Sequence, residues 1–408
     1  MRAEAARNRR VRWVIADEEI HATEKLDMAR RPARSRTKTS HGASVRYAVL
    51  GLGHIAQAAV LPAFKHARRN SVLAALVSGE DKKLKQLGRR YGVKRLCSYE
   101  DVDELFASGE IDAVYIALPN DMHKEYTVRA ARAGLHVLCE KPMAVTASEC
   151  EEMIAATRAA KVKLMIAYRL HFERANLEVA KLARTGKLGD LRFFNSEFSM
   201  QVSDDNIRLN PPDKGGGPLY DIGIYCINAA RYCLSEDPVE VWATATRSSD
   251  RRFREVDETV AATMRFKDER LATFVCSFGA GDRSVYSITG TKGSVTVDPA
   301  YEYAVGLSYT LRVGERERKK KFGKSDQFAP ELLYFSDCVL KDREPEPSGE
   351  EGLADVRIIE GMLQSIPSGK PVRLEMRQRK QRPGMEQDIR SPPVPREPKL
   401  VDVKPASQ

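Results

Sequence analysis

From Val45 onward, short apolar runs alternate with stretches whose apolar residues recur at helical spacing. Segments 45–50, 72–77, 113–118, 137–139 and 164–168 read as buried strands, and 101–107, 124–133 and 147–160 read as helices between them. Strand and helix taken in turn imply a parallel, doubly wound sheet. After a further helix over 173–184 the texture changes. Strand-like runs follow at 191–199, 239–245, 260–266, 271–278, 284–289 and 293–297, separated by turn residues such as Gly290-Thr291-Lys292-Gly293. Helical stretches over 330–340 and 352–365 close the region. The expected architecture is α/β. A Rossmann domain with a doubly wound parallel sheet spans 45–168, and a C-terminal α+β domain on a large, mostly antiparallel open sheet spans 169–376. No internal repeat is visible.

Charge changes this picture little once it is located. The 408 residues carry 67 Lys and Arg against 57 Asp and Glu, a net of +10. Residues 1–44 hold 11 basic against 6 acidic side chains and residues 377–408 hold 8 against 4, which leaves 48 against 47 between them. A near-neutral centre points to a small-molecule site and away from nucleic acid, whose binding rests on concentrated Lys and Arg. The basic arm 1–44 and the tail 377–408, with six prolines in its last 32 residues, are expected to be disordered. No apolar run approaches the ~18–20 residues of a membrane span, so no membrane partner is expected. Arg9-Arg10 and Arg30-Arg31 suggest an export signal, but the apolar run after the first pair is broken by Asp17, Glu18 and Glu19, and a cytoplasmic protein is expected. Met28 is an alternative start. The seven cysteines are scattered, without a C-x-x-C pair, and read as reduced thiols; no metal is expected.

The candidate chemistry begins at the end of the first strand. Gly51-Leu52-Gly53-His54-Ile55-Ala56 is a G-x-G-x-x-A turn between strand and helix: Gly51 permits the turn, Gly53 lets a pyrophosphate approach the backbone, and Ala56 allows close helix packing. The second strand ends in Ser78, where an enzyme selecting NAD places a carboxylate, and Lys82 and Lys83 follow within reach of a 2′-phosphate. NADP is therefore the expected cofactor, with NAD open through Glu80 or Asp81. Leu118-Pro119-Asn120, with His123 after it, and Glu140-Lys141-Pro142 end two further strands, where ligands sit in such sheets. Beyond a run of three glycines, Pro218-Leu219-Tyr220-Asp221-Ile222-Gly223-Ile224-Tyr225 starts a helix that projects Asp221 and Tyr225, four residues apart, from one face. A carboxylate and a phenol aimed together form a proton-transfer pair.

These motifs in this order, together with Ala167-Tyr168-Arg169-Leu170-His171, resemble the Gfo/Idh/MocA oxidoreductases over about residues 45 to 375, and among them the glucose-fructose subgroup, which the tyrosine at 225 matches where many members carry histidine. The resemblance implies a Rossmann domain plus an open-sheet domain often used for oligomerisation, hence a homodimer or homotetramer. It implies hydride transfer between NADP and a sugar or polyol, with Lys141 and Tyr225 catalytic and Asp221 orienting them or the substrate. Arg169 and His171 are candidate substrate contacts, and Arg169 also a cofactor contact. Chemistry agrees: removing a hydroxyl proton as hydride leaves the same carbon needs a base, and a phenol with a reference pKa of ~10 needs a cation to stabilise its anion. A dihydrodiol- or inositol-type dehydrogenase and a non-catalytic dinucleotide-sensing regulator are the alternatives.

Overall fold

The first sheet consists of β1 (Val45–Leu50), β2 (Ser71–Val77), β3 (Arg95–Cys97), β4 (Ala113–Ile116), β5 (His136–Glu140) and β6 (Leu164–Ala167) in a computed structural model. It describes residues 44–376, 382–393 and 398–403. All six strands are parallel, in the order β3-β2-β1-β4-β5-β6. β1 and β4 are buried along almost their whole length because helices cover both faces. Strand order reverses between β1 and β4, and a reversal of this kind opens a crevice at the carboxyl ends of the strands.

The second sheet has nine strands: β7 (Leu191–Ser199), β8 (Glu240–Thr246), β9 (Thr259–Arg265), β10 (Leu271–Ser277), β11 (Arg283–Gly290), β12 (Gly293–Val297), β13 (Ser308–Val313), β14 (Arg316–Lys321) and β15 (Val372–Arg373). Its order is β14-β13-β12-β11-β7-β10-β9-β8-β15, and every pair is antiparallel except β7 with β10. Along β7, Phe194, Ser196 and Phe198 point inward while Phe193, Asn195 and Glu197 face outward. The inner face packs on helices Ile224–Leu234 and Gly349–Ser368. Among the described residues no helix is long and apolar enough to cross a membrane, and all seven cysteines are buried and unpaired.

The predicted strands and helices recur with ends displaced by at most three residues, and 45–50, 147–160, 191–199 and 293–297 coincide with the observed elements. The helix Asp81–Tyr91 and strands β3, β13, β14 and β15 were not foreseen. β14 is charged at every position, Arg-Glu-Arg-Lys-Lys-Lys, so it shows no alternation; as an edge strand it needs none, and charge there discourages pairing with another sheet.

Two expectations about the C-terminal third need correction. Helix Ala329–Leu340, assigned by sequence order to the second domain, packs on β1 and β2 of the first sheet. The Tyr47 hydroxyl and Ser336 Oγ lie 2.7 Å apart, Ser71 and Ser336 share a second contact at 2.8 Å, and Asn70 donates to the Leu333 carbonyl. A sheet apolar on both faces needs a cover for each, and this helix supplies one. The tail is also ordered across its described residues. Gln387 donates to the carbonyl of Glu346 and to its carboxylate, Val401 is buried, and Arg382 reaches Asp237 at 3.2 Å. Proline-rich composition predicts a chain without helix or sheet, which the tail largely is, but such a chain can still dock. The N-terminal arm, except Ser44, lies outside the described residues.

Arg382 joins a buried charge cluster around Arg231, whose guanidinium meets Asp237 at 2.8 Å, Glu351 at 2.9 Å and Asp355. Removing Arg231 would leave Asp355 without a cation and Asp237 and Glu351 with Arg382 alone, so Arg231→Ala is expected to cost about 3–5 kcal/mol in denaturant unfolding. A loss below about 1 kcal/mol would show that the cluster is not held by this residue.

Candidate active site

The crevice starts at the turn after β1. Gly51 has φ +89°, and a Cβ there would stand 2.4 Å from the carbonyl oxygen of Ala117, so only glycine lets β1 and the end of β4 approach this closely. A Cβ on Gly53 would meet nothing within 4 Å, which leaves its backbone open to a ligand. Open backbone at the first residues of a helix fits a pyrophosphate. Gln57, fully buried on that helix, donates to the Leu52 carbonyl at 2.8 Å and so holds the loop.

Lys141 leaves the end of β5 on a segment pinned at several points. Thr146 and Glu149 form a reciprocal cap on helix Ala147–Ala160, the Tyr220 hydroxyl donates to the Val145 carbonyl at 2.8 Å, and His123 lies 2.9 Å from the carbonyls of both Pro142 and Leu118. Asn120 donates to the Gly215 carbonyl at 2.8 Å, tying the first domain to the glycine run. A Cβ on Gly216 would overlap the Asn210 carbonyl, so that run is required for the loop over 201–217 to fold against itself.

Against this frame, the Lys141 ammonium donates to the Asp221 backbone carbonyl at 2.8 Å and to its Oδ1 at 3.1 Å. Arg208 Nε donates to the other carboxylate oxygen, Oδ2, at 2.5 Å. Lys141 Nζ stands 4.9 Å from the centre of the Tyr225 ring and the Arg169 guanidinium carbon 5.1 Å from it. Burial by itself would raise the Asp221 carboxyl; Arg208 and then Lys141 outweigh it and hold the group well below the usual carboxylate range. Burial likewise opposes the charge on Lys141, but Asp221 and the Tyr225 phenol keep the ammonium above the ordinary lysine value. Lys141 is thus a fixed cation. A cavity lined by Lys141, Tyr168, Arg169, Tyr225 and Asn228 lies beside the cluster.

The turn that carries Asp221 is a π-helical one over Leu219–Gly223, followed by helix Ile224–Leu234; wide turns of this sort frequently mark functional sites. Asp221 bonds Lys141 and the Tyr225 ring lies 4.9 Å from its ammonium, across this wider turn and not the regular helical turn that a spacing of four predicts.

Other expected site residues fall elsewhere. His123 is fully buried with both ring nitrogens on backbone carbonyls, so it holds two crevice loops and has no free nitrogen for a cofactor. His171 is fully buried between Glu346 at 3.2 Å and Asn228 at 2.7 Å, so it is a structural residue and no substrate contact. Glu140 accepts from the buried Tyr115 hydroxyl at 2.8 Å, and burial raises its carboxyl. Ser78 Oγ accepts from the Glu80 backbone N–H, Lys83 folds back onto Glu80 at 2.5 Å, and Lys82 meets Asp402 of the tail at 2.9 Å. Leu118, Pro119, His54 and Ile55 lie on the crevice loops as expected, and Arg169 is buried against Gln327 and the Tyr301 carbonyl. Sequence reasoning missed Arg208, Gln327 and Tyr303, whose ring lies 5.4 Å from Arg169. Arg208 comes from the irregular loop before the glycines, where no periodicity marks it; its only signal was a cation close in sequence to Asp221.

A doubly wound domain with an open glycine turn, a strand-end lysine and a facing phenol defines a dinucleotide-binding oxidoreductase. Residues 45–168 match the oxidoreductase family with an NAD-binding Rossmann fold, and residues 176–296 match the GFO/IDH/MocA C-terminal domain. The chain belongs to the Gfo/Idh/MocA oxidoreductase family. It is 32% identical to D-xylose 1-dehydrogenase [NADP(+)] of Haloarcula marismortui, over 85% of this chain and 97% of that protein. The crystal structure of aldose-aldose oxidoreductase from Caulobacter crescentus, complexed with glycerol, is 40% identical with a TM-score of 0.78 and covers 81% of this chain and 100% of its own. KijD10, a 3-ketoreductase from Actinomadura kijaniata in complex with NADP, is 25% identical with a TM-score of 0.72, over 79% of this chain and 98% of its own.

Asp221 separates two cations that share little water. Its replacement by Asn is expected to cost about 3–5 kcal/mol of stability near neutral pH, measured by denaturant unfolding. Because the folded carboxyl lies below its unfolded value of ~3.9, the wild-type advantage is complete above that value and shrinks as pH falls toward the folded one. A difference that grows on acidification would contradict the arrangement.

Proposed function

We propose that this protein is an NADP-preferring oxidoreductase that moves hydride between the nicotinamide and a carbon bearing a hydroxyl in a sugar. The observation that carries the reading is the Lys141 ammonium, bound to Asp221 and 4.9 Å from the Tyr225 ring, at a strand end beside the glycine turn. A bound nicotinamide would supply the hydride acceptor. Tyr225 acts as its phenolate: it takes the hydroxyl proton of the substrate and becomes the neutral phenol as hydride leaves the same carbon, and the negative charge it carries before the transfer faces Lys141 and Arg169. Asp221, gripped by Arg208, keeps Lys141 at the phenol. The sugar class is supported by the relatives named above. The NADP(+) in the name of the xylose dehydrogenase, the NADP bound in the KijD10 structure and the absence of a carboxylate at Ser78 favour NADP over NAD. The same residues run in reverse reduce a carbonyl, so an aldose oxidised in one half-reaction and a second sugar reduced in the next is the glucose-fructose type of cycle at this site.

The open face of the second sheet supports association with a second copy. Phe193 and Leu271 are paired neighbours on it, and Val275 and Trp242 lie on the same exposed side, each more than 40% exposed. A homodimer through this face is expected by light scattering, and Trp242→Lys with Val275→Glu is expected to yield monomer; an unchanged mass would place the interface elsewhere.

Lys141→Ala and Tyr225→Phe are each expected to lower turnover about 10²-fold or more while leaving NADP binding largely intact. The assay is growth of reduced-nicotinamide absorbance when an aldose is added to protein with NADP, and its decay on adding fructose. Near-normal turnover in both variants would refute the assignment.

A further inference from the structure

Lys82, the cation that the sequence offers to a 2′-phosphate, is bound by the protein's own tail. Residues 398–403 run along helix Asp81–Tyr91 from its last turn to its first. Arg90 donates to the Lys399 carbonyl at 2.6 Å, and Asp402 meets Lys82 at 2.9 Å. Between these points Val401 is buried and paired in both directions with one side chain: Gln57 Nε2 donates to its carbonyl at 3.0 Å, and its N–H donates to Gln57 Oε1 at 2.8 Å. Gln57 is the same residue that holds Leu52 of the glycine loop. Pro398 and Leu400, together with His54 of that loop, line an open cleft. The tail is therefore seated against the dinucleotide-binding motif, anchored by Val401 independently of Asp402.

Its charge matters because of what the second strand lacks. An enzyme selecting NAD carries a carboxylate at the end of β2, where it bonds the ribose hydroxyl and repels a 2′-phosphate. Here that position is Ser78, and Lys83, folded on Glu80 with its side chain 11% exposed, is not at the surface. Lys82, with 63% of its side chain exposed, is the accessible cation, and the carboxylate beside it comes from residue 402.

We propose that Asp402 is a specificity-determining residue for the cofactor. It competes with the 2′-phosphate of NADP for Lys82 and so lowers the preference for NADP over NAD. This rests on the cofactor reading above and extends it to a residue 320 positions away in sequence. A phosphate that reaches Lys82 must displace Asp402 from it, and the displaced carboxylate remains nearby as a like charge. NAD, without that phosphate, leaves the pair intact. Both side chains are substantially exposed, so the effect is modest and screened by salt.

The test is the dissociation constant of the full-length protein for NADP and for NAD by calorimetry, without substrate, for wild type, Asp402→Asn, Lys82→Met and the double variant. Asp402→Asn is expected to raise the NADP-to-NAD affinity ratio about three- to tenfold at low salt, less at high salt. Lys82→Met is expected to weaken NADP binding and to diminish the effect of Asp402→Asn, leaving only the like-charge repulsion. An equal shift for both nucleotides, no shift, or an undiminished effect of Asp402→Asn in the Lys82→Met background would overturn this proposal alone. Binding of neither nucleotide to any variant would overturn the cofactor reading, and this proposal with it.

Discussion

The Asp221 carboxylate accepts from Lys141 with one oxygen and from Arg208 with the other, and much of the site depends on that bridge. Lys141 is delivered by a strand of the first sheet, Asp221 by a helical turn packed on the second, and Arg208 by the loop between β7 and that turn. A strand end 80 residues away and a loop 13 residues away meet at one side chain with little access to water. In such a place a single charge would be costly, and each of these charges is tolerable only because the others are present. The ammonium is held charged and fixed beside the Tyr225 ring.

The surroundings serve the same end by shortening distances. Gly51 lets the first strand approach β4, and Gly216 lets the irregular loop close on Asn210. His123 and Tyr220 hold the segment on which Lys141 sits. His123 and His171 are spent on scaffolding, and Arg169, braced by Gln327, is the second cation over the Tyr225 ring. Phe198 of β7 and Tyr301 of the connection between β12 and β13 pack against Tyr225, at 5.5 and 5.8 Å between ring centres, so the ring is fixed by aromatic packing as well as by charge.

What the sequence by itself determined is the part governed by local periodicity and short motifs. Alternating strand and helix over 45–168, the change to strands after 184, the glycine turn, and the strand-end positions of Lys141 and the Asp221–Tyr225 pair all follow from patterns a few residues long, because backbone sterics and a sheet buried on two faces impose them locally. Only the tertiary structure decided which of several plausible polar residues face the crevice. His123 and His171 have the chemistry of ligands, but burial turned both ring nitrogens of each inward. Arg208 has no pattern around it, and its role exists only because the glycine run folds its loop back on Asp221. Helix Ala329–Leu340 and the proline-rich tail read as the end of the second domain and as loose chain, yet each covers the first domain, since apolar surface left open by one stretch of chain can be closed by any other that fits it. Local rules act over the reach of a turn; charge pairing and the covering of apolar faces act across the whole fold, and a sequence read along its length does not display them.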